Sequence, residues 1–157
     1  MVVGYTDPAG EHTLAMYGAV SDYGHHYCAE TDTSALAYIG ARGRNGVDAA
    51  TAARQEIELV PELFRDSELA ASLRVETQGP IEYQIDGRPA FRYTASISGI
   101  AKNSSCDPES SEFTVIATPG YASSEVAVFV LRRHTAIDNA LTREESEKII
   151  ESIRKTG

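Results

Sequence analysis

From Leu73 onward, apolar and polar positions alternate with a period of two: Leu73, Val75 and Thr77 against Arg74, Glu76 and Gln78, then Ile81, Tyr83 and Ile85 against Glu82 and Gln84. Successive side chains of a strand point to opposite faces, so the pattern predicts two strands separated by Gly79-Pro80, each with one buried and one wetter face. Asp86-Gly87 is a favoured two-residue hairpin turn. It leads into a long strand with Phe91, Tyr93, Ala95 and Ile97 on one face and Arg92, Thr94, Ser96 and Ser98 on the other. Further on, Phe113 to Thr118 predicts another strand, broken by Pro119-Gly120. Glu125 to Leu131 is apolar at nearly every position, as suits a central strand covered on both sides.

The period changes to that of a helix in two places. From Val47 to about Val60 the alanine-rich run has high helix propensity, and Ala50, Ala53, Ile57 and Val60 recur at offsets of three and four. Pro61 cannot donate to the carbonyl of Ile57, so the helix is expected to stop or kink there, although Phe64 continues its stripe. Near the C-terminus, Thr142-Arg143-Glu144-Glu145 is a capping box. Behind it Ile149, Ile150 and Ile153 face inward, with Glu147, Lys148, Glu151 and Arg154 outward.

The N-terminal part reads as strands joined by turns, with an apolar stretch from Thr13 to Val20 preceded by turn chemistry at Asp7-Pro8-Ala9-Gly10. A short strand is expected over Ala35 to Ala41, after which Gly40, Gly43, Asn45 and Gly46 punctuate the chain before the helix. The order of strands, helix, several strands on short turns and a final helix argues for a single α+β domain over 1–157. Its sheet would be twisted, mainly antiparallel and packed by helices. Gly40 to Gly46 fits neither the dinucleotide nor the P-loop spacing.

Charge narrows the partners. Twenty-three acidic residues against fourteen basic ones give a formal charge of −9, a field that repels phosphate backbones, so no nucleic acid is expected. The basic spots at Arg42 with Arg44, and at Arg132-Arg133-His134, are short and read as solvated loops or strand ends. No apolar run reaches the ~20 residues of a membrane span, and Met1 to Tyr5 lacks the pattern of a signal peptide. Any signal or anchor is therefore expected upstream, with the membrane reached only through it.

Two cysteines, Cys28 and Cys106, either pair or stay as buried thiols. They are too distant for a C-x-x-C redox motif and too few for a zinc site. Their loop-like surroundings favour pairing, because free cysteines prefer continuous apolar neighbours. In the chain-entropy model such a bridge stabilises the fold by about 4 to 5 kcal/mol, and it implies an oxidising compartment. The competing reading is a cytoplasmic domain with free thiols.

Other constellations have plain explanations. His25 and His26 with Asp22 and Cys28 would need a further ligand from His12 or His134 to hold a metal, and nothing in the spacing requires it. Serines 104, 105, 110, 111, 123 and 124 lie in turn-like segments and read as solvated filling; no G-x-S-x-G elbow occurs. Glu109 with Glu112, and Glu144 with Glu145, are accounted for by turn solubility and by the field at a helix N-terminus. Asn103-Ser104-Ser105 matches the glycosylation tripeptide. The eight tyrosines against four phenylalanines suit half-buried sheet positions first and contact surfaces second. No catalytic, cofactor-binding or metal-ligating residue is expected, and no cofactor.

Gly24 to Cys28 with its terminal Tyr27-Cys28, the stretch Arg42 to Gly46, the alanine-rich run Ala49 to Ala53, the strand Arg88 to Ile97, Cys106, and the closing strand and helix are the features of a resemblance. The chain resembles a family of uncharacterised extracytoplasmic domains from actinobacteria, borne on single-span membrane proteins or lipoproteins and similar in fold to the PsbP-like α/β/α sandwich. Members usually begin with an additional strand bearing a proline and a tryptophan, absent here, so the resemblance implies that such a strand is missing from the domain. It also implies export, and it carries no catalytic residues across. The expected function is a non-enzymatic module of a cell-envelope protein, binding another protein or an envelope component or serving structurally. The alternative is a small-molecule binder or envelope enzyme with a pocket between sheet and helices, lined by tyrosines and one histidine.

Overall fold

In a computed structural model, residues 1–65, 72–102 and 104–155 are described. The strands are β1 (Val3–Thr6), β2 (Thr13–Tyr23), β3 (Ala37–Arg44), β4 (Arg74–Ile85), β5 (Arg88–Ser98), β6 (Ser110–Pro119) and β7 (Val126–Thr135). The helices are α1 (Ala49–Glu58), the single turn α2 (Val60–Leu63) and α3 (Arg143–Glu151). All seven strands form one sheet in the order β1-β2-β3-β7-β6-β5-β4, with every neighbouring pair antiparallel. This is the mixed α+β fold that the patterning predicts.

The apolar run of β7 occupies the middle of the sheet, where both faces are covered. On one face Val126, Val128 and Val130 join Phe113, Val115 and Ala117 of β6 beneath Ala49, Ala52, Ala53 and Ile57 of α1. On the other, Leu131 and Ile116 pack with Ile85, Ala90 and Ile150 of α3. Val115 and Ile116 are adjacent in one strand and point oppositely, so the two helices cover opposite faces. No helix among the described residues is long and apolar enough to cross a membrane.

Local signals set most boundaries. Asp48 caps α1 by accepting from the Thr51 amide at 2.7 Å. Pro61 ends it: the chain restarts as the one-turn α2, and Phe64 continues the stripe edge-on to Phe113 with ring centroids 6.2 Å apart. Thr142 and Glu145 form the reciprocal capping box. Asp86 and Gly87 both have positive φ, 52° and 73°, as a tight hairpin turn requires.

Several expectations are corrected. Gly79-Pro80 does not separate two strands; β4 runs through it with a register shift between Gln78 and Ile81. Its apolar face is largely exposed, Ile81 at 59%, because β4 is an edge strand whose middle no helix among the described residues covers. Gly40 and Gly43 lie inside β3, not in a loop, and β1 adds an edge strand that the sequence pattern did not single out. On α1, Ala50 is exposed, and the buried stripe includes Ala49 and Glu56.

Glu56 is fully buried, which explains that rotation. Its carboxylate accepts from the Tyr17 hydroxyl at 2.5 Å and from Arg42 Nη2 at 2.6 Å, with Arg44 Nη1 at 3.5 Å. Burial, with the Glu56 charge behind it, pushes the Tyr17 hydroxyl far above the usual phenol range. Arg42 and Arg44 stand at the end of β3, as one of the two expectations had it, but are not solvated: alternate positions of the strand face α1, where the buried carboxylate requires a cation. The α3 face repeats the device. Arg92 makes two hydrogen bonds to Glu147, at 2.8 and 2.5 Å, which lowers the carboxyl's pKa and draws Glu147 off the outward face. Glu112 is likewise a buried strand residue held by Arg133 and Arg143 rather than a turn carboxylate.

Removing one member of a buried ion pair leaves an uncompensated charge, at a cost of about 3 to 5 kcal/mol. Glu56→Ala is expected to destabilise the domain by that order in urea unfolding. Glu58→Ala, which breaks only the exposed pair with Arg54, is expected to change little.

Candidate functional site: a disulfide-clamped cleft

Two loops meet over one end of the α1 face. The first links β2 to β3 and is folded on itself: the His26 amide donates to the Ser34 carbonyl at 2.8 Å and the Cys28 amide to Ser34 Oγ at 3.1 Å. It begins at Gly24, where φ is +67° and a Cβ would lie 2.5 Å from the Leu36 side chain, so only glycine fits without displacement. The second links β5 to β6 and carries Cys106. Cys28 and Cys106 are disulfide-bonded across 78 residues of chain, with Cα atoms 5.7 Å apart. The Tyr27 hydroxyl donates to the Cys106 carbonyl at 3.0 Å and Ser105 Oγ to Glu30 at 2.8 Å, so covalent and polar links act together.

Beneath the clamp is a cleft of about 300 Å³, at the lower end of the range for small-molecule sites. Tyr27, Cys28, Thr31 and Ser34 form one wall, Ile100, Asp107 and Pro108 the other, and Phe64 closes one side. Its floor is polar: Ser111, Arg132 and His134. The antiparallel register pairs Ser111 with His134 and Phe113 with Arg132, so β7 turns Arg132 and His134 to the face that carries α1.

His134 is buried, with Nδ1 2.9 Å from Ser111 Oγ and its ring edge-on to Tyr27. Burial, helped by the Arg132 charge and opposed by Asp107, pushes its pKa down to about 3. The ring is therefore neutral at physiological pH. Ser111 is 2% exposed, so its hydroxyl serves the histidine and is not presented as a nucleophile.

Arg132 is the unusual member. Its Nη2 donates to the Ala35 carbonyl at 2.9 Å, and its guanidinium stacks 4.8 Å over the Tyr38 ring. The Tyr38 hydroxyl is hydrogen-bonded to that of Tyr5, and burial raises the pKa of both phenols. The buried Nε of Arg132, like those of Arg42 and Arg92, has no hydrogen-bond partner among the described residues. On the far side of this side chain a second cavity, about 200 Å³, is lined by Tyr5, Val20, Tyr38 and Asp22.

The histidine and cysteine group singled out from sequence is not assembled as a site. His25 bonds Asp22 at 2.9 Å and meets the His26 ring edge-on, while Cys28 is in the disulfide and His12 lies in the turn after β1. Among the described residues one trio of possible metal ligands converges, Cys28, Glu30 and Cys106, and its two sulfurs are bonded to each other. Ser110 and Ser111 belong to β6 rather than to a loop, and Arg132, Arg133 and His134 lie at the end of β7, as one of the two expectations had it, but are wholly or partly buried rather than solvated. The sequence does hold the signal: Val128, Val130, Arg132 and His134 are two apart, so the strand that buries the valines delivers the other two to the same face. Asn103 of the glycosylation tripeptide lies outside the described residues.

A family model described as a domain of unknown function, DUF8017, matches residues 1–157, and the chain belongs to that family. No curated protein matches it.

Because the folded-state pKa of His134 lies near 3, below the ordinary 6.5, unfolding takes up a proton between these values. The stability this histidine contributes is complete above pH 6.5 and is lost as pH falls toward 3. His134→Gln is expected to show a smaller fall in Tm between pH 7 and pH 4 than the unmodified protein, followed by circular dichroism.

Proposed function

We propose that this DUF8017 domain is a non-enzymatic recognition module of an actinobacterial cell-envelope protein, working outside the cytoplasm. Its architecture suits a PsbP-like α/β/α sandwich, with a central sheet and a helix on each face. The disulfide carries the reading. It fits an oxidising compartment, and it joins the two loops that frame the cleft, so compartment and binding surface depend on one bond. The expected partner is another protein or an envelope component. The net charge of −9 argues against a nucleic acid.

A second reading, a small-molecule binder, is favoured by the cleft's polar floor of Ser111, Arg132 and His134. The cleft departs from the expected pocket in place and lining: it sits under two loops at the sheet end and includes one tyrosine, Tyr27.

Protein recovered from an oxidising compartment is expected to take up no alkylating label in denaturant until reduced, and then two labels by intact mass. Labelling without reductant would overturn the assignment outside the cytoplasm. Replacing both cysteines by serine is expected to cost about 2 to 5 kcal/mol in urea unfolding. Loss of the partner recovered by in situ crosslinking from the same variant would support the cleft as the binding surface, and unchanged recovery would count against it.

A further inference from the structure

Arg42, Arg92 and Arg133 each meet a carboxylate: Glu56, Glu147 and Glu112. Half-buried Arg88 and Arg132 form no salt bridge among the described residues, and of these two Arg132 lines the clamped cleft. A guanidinium held this way has lost part of its hydration without gaining an anion, an arrangement that is costly unless something else supplies the charge. Its position between two cavities, with a partner carbonyl and an aromatic ring fixing its orientation, is that of a pre-organised anion anchor.

We propose that the clamped cleft binds a singly charged carboxylate with a compact apolar body, and that Arg132 anchors the carboxylate. This rests on the recognition role above and names the chemistry of that site. Arginine suits the task because its planar fork can give two parallel hydrogen bonds to one carboxylate. Neutral His134 and the wall hydroxyl of Thr31 add polar contacts without adding charge. Phe64, Ile100 and Pro108 offer an apolar wall for the body of the ligand. Asp107 and the overall charge of −9 disfavour a polyanion, which restricts the ligand to one negative group. The same chemistry is presented by a free organic acid and by the C-terminal carboxylate of a peptide.

The test is an amide chemical-shift titration of the disulfide-intact chain with benzoate, with N-acetylphenylalanine, with an acetylated tripeptide ending in free phenylalanine, and with the amide of each. Saturable shifts centred on Ala35, Ser111 and His134 are expected for carboxylates and not for amides. Binding of benzoate alone would identify a free acid as the source, and binding of the tripeptide a chain end. Arg132→Gln is expected to weaken binding about tenfold to a hundredfold, the scale of a lost charge-assisted pair. Arg132→Lys, which keeps the charge without the fork, should fall between. The amide comparison needs no variant, so it stands even if a substitution unfolds the domain. Equal binding of acids and amides, or no saturable shift with any acid, would overturn the proposal. If crosslinked partner recovery survives in Arg132→Gln, the recognition role stands without this anchor.

Discussion

The antiparallel register between β6 and β7 decides what each half of the molecule contains. It sets Glu112 against Arg133 and Ser111 against His134. Because neighbouring residues in a strand face opposite sides, the first pair lies beneath α3 and the second at the floor of the cleft. A slip of one residue would turn the alternate set of β7 side chains to each face, separating Glu112 from Arg133 and Ser111 from His134. The buried valines on either side of this ladder make such a slip expensive, so the apolar core fixes the polar site.

The clamp acts on what the sheet leaves open. Loops at a sheet end bury little apolar surface of their own and open readily. Here a covalent bond, the Tyr27 hydrogen bond to the Cys106 carbonyl and the Ser105 to Glu30 contact tie two such loops together. A binding surface assembled in advance loses less entropy on association, which is the physical link between the disulfide and a recognition role.

Electrostatically, the outside and inside of the domain differ. The net charge of −9 describes the field felt from solvent. Several arginines are turned inward, where Glu56, Glu112 and Glu147 neutralise them. Arg88 and Arg132 have no such carboxylate among the described residues, and of the two Arg132 lines the cleft.

Features governed by neighbours in the chain were legible in the sequence. The capping box at Thr142, the Asp86-Gly87 turn, the stop at Pro61 and the double-sided burial of β7 each depend on a few adjacent residues, whose geometry is set by backbone sterics and local hydrogen bonding. The cysteine pairing was legible too, since two cysteines leave one partner each. Features that depend on position in the sheet were hidden. The alternation of β4 looks like that of a half-buried strand, yet lying at an edge leaves Ile81 in water. Arg42 and Glu56 are 14 residues apart and Glu112 and Arg133 are 21 apart, so only packing brings them together. By itself the sequence determined most of the elements, the capping and turn signals and the double-sided burial of β7, and it favoured the sulfur pair. The tertiary structure alone decided which charges are neutralised and which guanidinium is left facing a cavity, because neutralisation depends on distances between segments that no local pattern records.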